Sequence, residues 1–88
     1  MQMDYTEEKA RFYRALSEPV RIRILKYILS NENCDCTCKL NKVIKKDQSV
    51  IFRHIMVLEN AGILKTEKHG KFLKCFVNDK SRIRKLLE

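Results

Sequence analysis

Residues 37–62 read TCKLNKVIKKDQSVIFRHIMVLENAG, and the spacing of their apolar side chains predicts two helices joined by a tight turn. The first helix begins near Thr37 and is closed by Lys45-Lys46, and Asp47 is the expected N-terminal cap of the second. Gly62 suits the left-handed position that follows a helix. The apolar residues predicted to face inward are Leu40, Val43 and Ile44 in the first helix, and Ile51, Ile55, Val57 and Leu58 in the second. This stretch therefore predicts a helix-turn-helix.

The period of the apolar residues changes after this pair. Residues 63–67 and 72–77 alternate in the way that strands do, and a His69-Gly70 turn lies between them. Lysines cluster around the turn. The pattern predicts a β-hairpin with a basic tip directly after the second helix.

Two further helices are predicted before this unit and one after it. Their expected starts are a capping box at Asp4 and Glu7, the Ser17-Glu18-Pro19 segment, and a cap at Asp79 or Ser81. The first helix runs through Leu16, and the second carries a core stripe from Val20 to Leu29. The order predicts a mostly α fold with a small β-hairpin, a winged helix-turn-helix, in a single domain over residues 1–88.

The charge of the chain indicates its class of partner. The formal net charge is +8 over 88 residues, a balance that favours a polyanion, with nucleic acid as the first candidate. No apolar run approaches the roughly 20 residues of a membrane span, and no signal peptide opens the chain. We therefore expect a cytoplasmic protein with no membrane partner.

Three of the four cysteines occupy alternate positions, at Cys34, Cys36 and Cys38. In an extended chain such residues face one side, so three thiolates can converge on one soft ion. In a helix, residues two apart lie roughly 200° around the axis, so an ion held by Cys36 and Cys38 would distort the start of the helix near Thr37. Cys75, in the second strand, is expected to be an ordinary packing residue.

Several stretches in one order resemble the ArsR family of metal-responsive repressors. These are LSEPVRIRIL at 16–25, CTCKL at 36–40, QS at 48–49, RH at 53–54, LENAGIL at 58–64 and HGK at 69–71. The resemblance extends from about Leu16 to Val77, and it implies the winged helix-turn-helix fold and a transcriptional function.

The resemblance also implies an inducer site. The family motif reads Glu-Leu-Cys-Val-Cys-Asp-Leu, and Cys36, Cys38 and Leu40 occupy the matching positions. Arsenic-sensing members often have a third cysteine three residues after the second, where this chain has Asn41, and Cys34 is the thiol that can replace it. The expected inducers are As(III), Sb(III), Cd(II), Pb(II) or Zn(II), with no organic cofactor. The Asp and His site that zinc-sensing members have on the last helix is expected to be absent, because only Asp79 is near.

The first half of the second helix of a helix-turn-helix meets base edges in the major groove. Gln48 suits adenine, Arg53 suits guanine or a phosphate, and Val50 suits a thymine methyl group. Phe52 departs from the small or polar residue usual in the family, and it either packs inward or meets sugar and methyl groups. The predicted DNA-binding residues are Gln48, Ser49, Val50, Arg53 and His54 in the helix, with Lys68 and Lys71 on the hairpin for phosphate contacts.

The sequence thus leads to one main functional hypothesis. It is a homodimeric repressor of double-stranded DNA, released from a pseudo-palindromic operator when a thiophilic ion binds Cys34, Cys36 and Cys38. Half-sites would lie roughly 34 Å apart. The alternatives are a redox or reactive-sulfur sensor using the same thiols and a DNA-binding protein that senses nothing. Catalysis is disfavoured, because no histidine or acid has motif spacing to the cysteines and no Cys-x-x-Cys is present.

Overall fold

A computed structural model describes residues 5–31 and 37–88 of the chain, without the side chains of residues 37 and 38. The described helices and strands follow in the order α1 (Tyr5–Ala15), α2 (Pro19–Ser30), α3 (Thr37–Ile44), α4 (Gln48–Asn60), β1 (Leu64–His69), β2 (Phe72–Val77) and α5 (Lys80–Leu87). The predicted order is present, so the mostly α fold class with a small hairpin is confirmed. The predicted capping box includes Asp4, which lies outside the described residues.

Helix α2 lies at the centre of the core, since it contacts α3, α4, α5 and β2. It begins where the sequence predicted: Glu18 is the N-terminal cap, its carboxylate accepts a hydrogen bond from the Arg21 amide, and Pro19 occupies the first turn. The buried apolar residues are Ala15, Val20, Ile24, Leu25, Ile28, Leu40, Ile51, Ile55, Leu58, Ile63, Leu64, Cys75, Val77 and Ile83. Each described helix and strand therefore contributes to one apolar cluster, and the Cys75 side chain is fully buried within it.

Helices α3 and α4 form the predicted helix-turn-helix. Lys45 ends α3 with a left-handed φ of 60° and donates its amide to the Asn41 carbonyl at 2.9 Å. Asp47 caps α4 in an extended conformation, although its side chain makes no capping hydrogen bond. At the other end of α4, Gly62 has a φ of 78°, and the amides of Gly62 and Ile63 bond back to the carbonyls of Glu59 and Leu58. This is a Schellman motif, which uses the glycine as the sequence predicted.

Strands β1 and β2 form an antiparallel hairpin in register from Leu64 opposite Val77 to His69 opposite Phe72. The first strand was predicted at residues 63–67, but it begins one residue later and ends two residues later. Cross-strand pairing continues to His69, and the turn falls on residues 70 and 71. Gly70 has a φ of 62° at the first of these positions, which favours glycine. Among the described helices, none combines the length and apolarity that a membrane span requires.

Two apolar residues predicted to face the core are exposed instead. Val43 in α3 is 53% exposed, and Val57 in α4 also faces outward. An eight-residue helix such as α3 contacts its neighbours along a narrow stripe, where Leu40 is fully buried and Ile44 is partly buried against the core. The helical period identifies an apolar face, but the packing of neighbouring helices decides which edge of that face is covered.

Candidate nucleic-acid interface

One face of α4 is turned away from the core and presents its polar residues outward. Ile51, Ile55 and Leu58 of the same helix are fully buried against the core. Gln48, Ser49 and Arg53 are exposed in the first half of the helix, and at 3.6 residues per turn they lie within an arc of about 140°. Their hydrogen-bond donors and acceptors are therefore accessible to a partner that can admit this helix, as the major groove of DNA can.

The other two residues predicted for this helix are placed differently. Val50 is partly buried at the edge of the exposed face. His54 turns toward α2, and its side chain is 19% exposed. The roles of both residues in DNA binding remain predictions. For His54 the structure identifies protein partners that the sequence did not predict.

Those partners form a cluster around the guanidinium of Arg21, which joins three elements. Its Nε donates to the Ala15 carbonyl at 2.7 Å, and its Nη2 donates to the Arg14 carbonyl at 3.3 Å, both at the end of α1. Its Nη1 lies 3.2 Å from His54 Nδ1, and Glu18 Oε2 lies 3.8 Å from the same nitrogen. Arg21 therefore connects the end of α1 and the start of α2 to the exposed helix α4.

The protonation state of His54 follows from these contacts. A guanidinium only donates hydrogen bonds, so Nδ1 of His54 is an acceptor and the neutral ring carries its proton on Nε2. Burial lowers the pKa of His54; the Glu18 carboxylate opposes the shift, and the positive charges of Arg21, Arg53 and Lys46 add to it. The neutral imidazole is thus the form that the folded protein favours.

This cluster predicts a stability that depends on pH. The pKa of His54 is below its ordinary value of 6.5 in the folded protein, so the unfolded chain binds more protons, and the free energy of unfolding should decline as the pH falls below 6.5. Well above that pH, where the histidine is deprotonated in both the folded and the unfolded chain, the effect is absent. Urea unfolding from about pH 7.5 to about pH 5.5 measures it.

The two histidines of the chain provide a matched pair for this experiment. His54→Gln should flatten the decline, whereas His69→Gln, at an exposed position on the hairpin, should retain it. An unchanged pH dependence in His54→Gln would show that this ring does not cause it.

The charged residues of the hairpin differ in the contacts that they make. Lys65 and His69 both contact the Glu67 carboxylate, each at 3.3 Å, and these hydrogen bonds from His69 and Lys65 lower the pKa of Glu67. Lys68 and Lys71 are exposed, and neither forms an ion pair within the described part of the chain. Their exposure leaves them accessible to a partner, and the phosphate contacts remain a prediction.

A side-chain contact fixes the hairpin to the exposed helix. Glu59 Oε2 accepts hydrogen bonds from Thr66 Oγ1 at 2.6 Å and from the Thr66 amide at 3.2 Å. This contact holds the angle between the end of α4 and β1. Neither Thr66 nor Arg21 was predicted as a functional residue, and no local pattern marks them, because their partners lie on other elements.

The predicted metal ligands precede or begin α3. Cys34 and Cys36 lie outside the described residues, as does the side chain of Cys38. Elsewhere, within 5–31 and 37–88, no three His, Cys, Asp or Glu side chains are grouped to hold a metal ion. The backbone of α3 begins at Thr37, so Cys38 lies in its first turn. Asn41 has a buried Oδ1 that makes no hydrogen bond to the described residues.

Similar proteins were found by sequence and by structure. An uncharacterized HTH-type transcriptional regulator of Methanocaldococcus jannaschii is 31% identical over 98% of this chain and 94% of its own length. A cadmium resistance transcriptional regulatory protein, the CadC homolog of Staphylococcus aureus, is 32% identical over 90% of this chain and 64% of its own length. The second relative is therefore longer than the matched region.

The solved structures agree on the fold. The homodimeric winged helix-turn-helix DNA-binding domain of a Mycobacterium bovis protein superposes with a TM-score of 0.81, at 14% identity, over 99% of this chain and 82% of that one. Residues 18–66 match the family described as bacterial regulatory protein, arsR family, whose winged-helix members are transcription factors without enzymatic activity. The chain therefore belongs to the ArsR family of transcriptional regulators.

Proposed function

We propose that this regulator is a homodimeric repressor that leaves its DNA operator when a thiophilic ion binds Cys34, Cys36 and Cys38. The ion is As(III), Sb(III), Cd(II), Pb(II) or Zn(II), since thiolates select soft or borderline ions. The cadmium-resistance relative supports a metal signal in general. The operator is pseudo-palindromic, because a two-fold dimer presents two equivalent reading helices.

The observation that carries this proposal is the position of the cysteines relative to the helix pair. Cys38 lies in the first turn of α3, and only residues 45–47 separate α3 from α4. Helix α3 contacts α4, α2 and β2, so a change at its start alters the surface on which α4 rests. An ion that binds more tightly to a distorted start of α3 would weaken DNA binding by linkage.

The dimer is supported by apolar side chains on the first and last helices. Tyr5 and Tyr13 of α1 and Leu86 of α5 are exposed. A chain of 88 residues buries a modest core by itself, and a second copy would cover these side chains. We assign the dimer contact to α1 and α5.

The test is operator release by metal in the double variant Cys36→Ser/Cys38→Ser. Wild-type affinity for operator DNA should fall by about 5- to 150-fold on ion binding, the usual range of coupling between two sites. The double variant should bind DNA with nearly unchanged affinity and should not respond, because the thiols precede the reading helix and are not part of it. Fluorescence anisotropy with labelled DNA measures both properties.

Two single variants refine this experiment. Cys75→Ala is the matched cysteine control, since Cys75 is buried in strand β2 and lies outside the 34–38 segment of the sequence, and it should still release DNA. Cys34→Ser should weaken the As(III) response strongly and the Zn(II) or Cd(II) response less, because those two ions can complete a tetrahedral shell with nitrogen, oxygen or water. A double variant that still dissociates on addition of metal would refute the inducer site. Release by peroxide without metal would favour the redox alternative.

A further inference from the structure

Phe52 is a large aromatic side chain on the exposed arc of α4 that runs from Gln48 to Arg53. It is 47% exposed, while Ile51 and Ile55 beside it are fully buried. At helical spacing Phe52 lies between Gln48 and Ser49 on the exposed arc, and Arg53 follows it. The inward packing that the sequence left open for Phe52 does not occur.

The chemistry of the major groove offers Phe52 a specific partner. Most groups on the base edges there are hydrogen-bond donors or acceptors, which a phenyl ring cannot satisfy, and the C5-methyl group of thymine is the apolar exception. The polar neighbours Gln48 and Arg53 and the net charge of +8 favour a polyanion on this face. Burial of this methyl group against the phenyl ring would stabilise the protein–DNA complex when the base is thymine and not when it is one of the other three bases.

We propose that Phe52 is a specificity-determining residue that packs against the C5-methyl group of a thymine in each operator half-site. The inference rests on the proposed DNA-binding function and adds a base preference to it. Val50, the residue that the sequence suggested for a thymine methyl, is partly buried at the edge of the exposed face. Phe52 is the more exposed of the two, and it lies within the exposed arc from Gln48 to Arg53, whereas Val50 lies outside that arc.

The experiment uses uracil, which differs from thymine only in lacking this methyl group. A duplex is first selected from a random pool by the wild-type protein without metal, and its thymines are replaced by uracil one at a time. Wild-type affinity should fall about fourfold at one thymine in each half-site, the effect of one buried methyl group. Phe52→Ala should bind the thymine and uracil duplexes equally, and Val50→Ala should retain the wild-type difference.

Three results would count against the proposal in distinguishable ways. An equal uracil penalty in wild type and Phe52→Ala would overturn it and leave the proposed function intact. A penalty that disappears in Val50→Ala but not in Phe52→Ala would assign the methyl contact to Val50. A pool that yields no preferred sequence would overturn both this inference and sequence-specific repression. Because Phe52 is exposed, urea unfolding should show that Phe52→Ala folds as stably as the wild type, and circular dichroism verifies its helix content.

Discussion

Leu40→Ala is expected to lower the free energy of unfolding by about 2–5 kcal/mol, the usual effect of truncating a fully buried leucine. Leu40 is fully buried, and among the described side chains of α3 it is the one that belongs to the core. A protein of this length has a total stability of about 4–13 kcal/mol, so the loss is a large fraction. Urea unfolding followed by circular dichroism measures it.

The same substitution should also weaken DNA binding at temperatures where the variant remains folded. Leu40 packs the short helix α3 against the core, and α4 contacts α3. Because a cavity at this position removes packing contacts, the angle between α3 and α4 becomes less fixed. The matched control is Val43→Ala on the same helix, which removes an exposed side chain and should change stability by less than about 0.5 kcal/mol. Equal destabilisation by the two variants would show that α3 is not anchored through Leu40.

Gln48→Ala and Arg53→Ala are expected to reduce discrimination between operator and random DNA by about 1–3 kcal/mol each. Both side chains are exposed on the outer face of α4, where a bidentate contact to adenine or guanine carries sequence information. Loss of that contact weakens operator binding more than binding to random sequence. Titrations with both duplexes at one salt concentration give the difference.

Lys71→Ala is the control for charge without base recognition. Lys71 lies at the hairpin turn, where phosphate contacts are expected, so its removal should weaken all sequences similarly and reduce the salt slope by about one. If Arg53→Ala instead behaved as Lys71→Ala does, Arg53 would be a phosphate contact. Full sequence preference in Arg53→Ala would remove it from the reading surface altogether.

Much of the fold was predictable because its signals are local. The caps at Glu18 and Asp79, the glycine at the end of α4 and the change to alternating residues after it each depend on a few adjacent positions. The strand limits were less accurate, since they depend on the register with the opposite strand. The exposure of Val43 was not predicted. The helical period identifies the apolar face of α3, but it does not show how much of that face the neighbouring helices cover.

The candidate site also has parts that the sequence predicted and parts that it did not. The order of elements predicted that α4 reads DNA, and Gln48 and Arg53 are exposed on it as that prediction requires. The turn of His54 toward Arg21 was not predictable from spacing, since 33 residues separate the two. The cysteine ligands remain predictions, because their side chains lie outside the described residues.

The sequence by itself determined the order of helices and strands and the helix that presents a polar face. These features follow from periodicity, caps and residue chemistry, which act over a few neighbouring positions. Only the tertiary structure decided that Phe52 faces outward, that Arg21 joins α1 to α4, and that Glu59 holds the hairpin through Thr66. Such contacts depend on the angles at which elements pack, and those angles arise from the whole core rather than from any one segment.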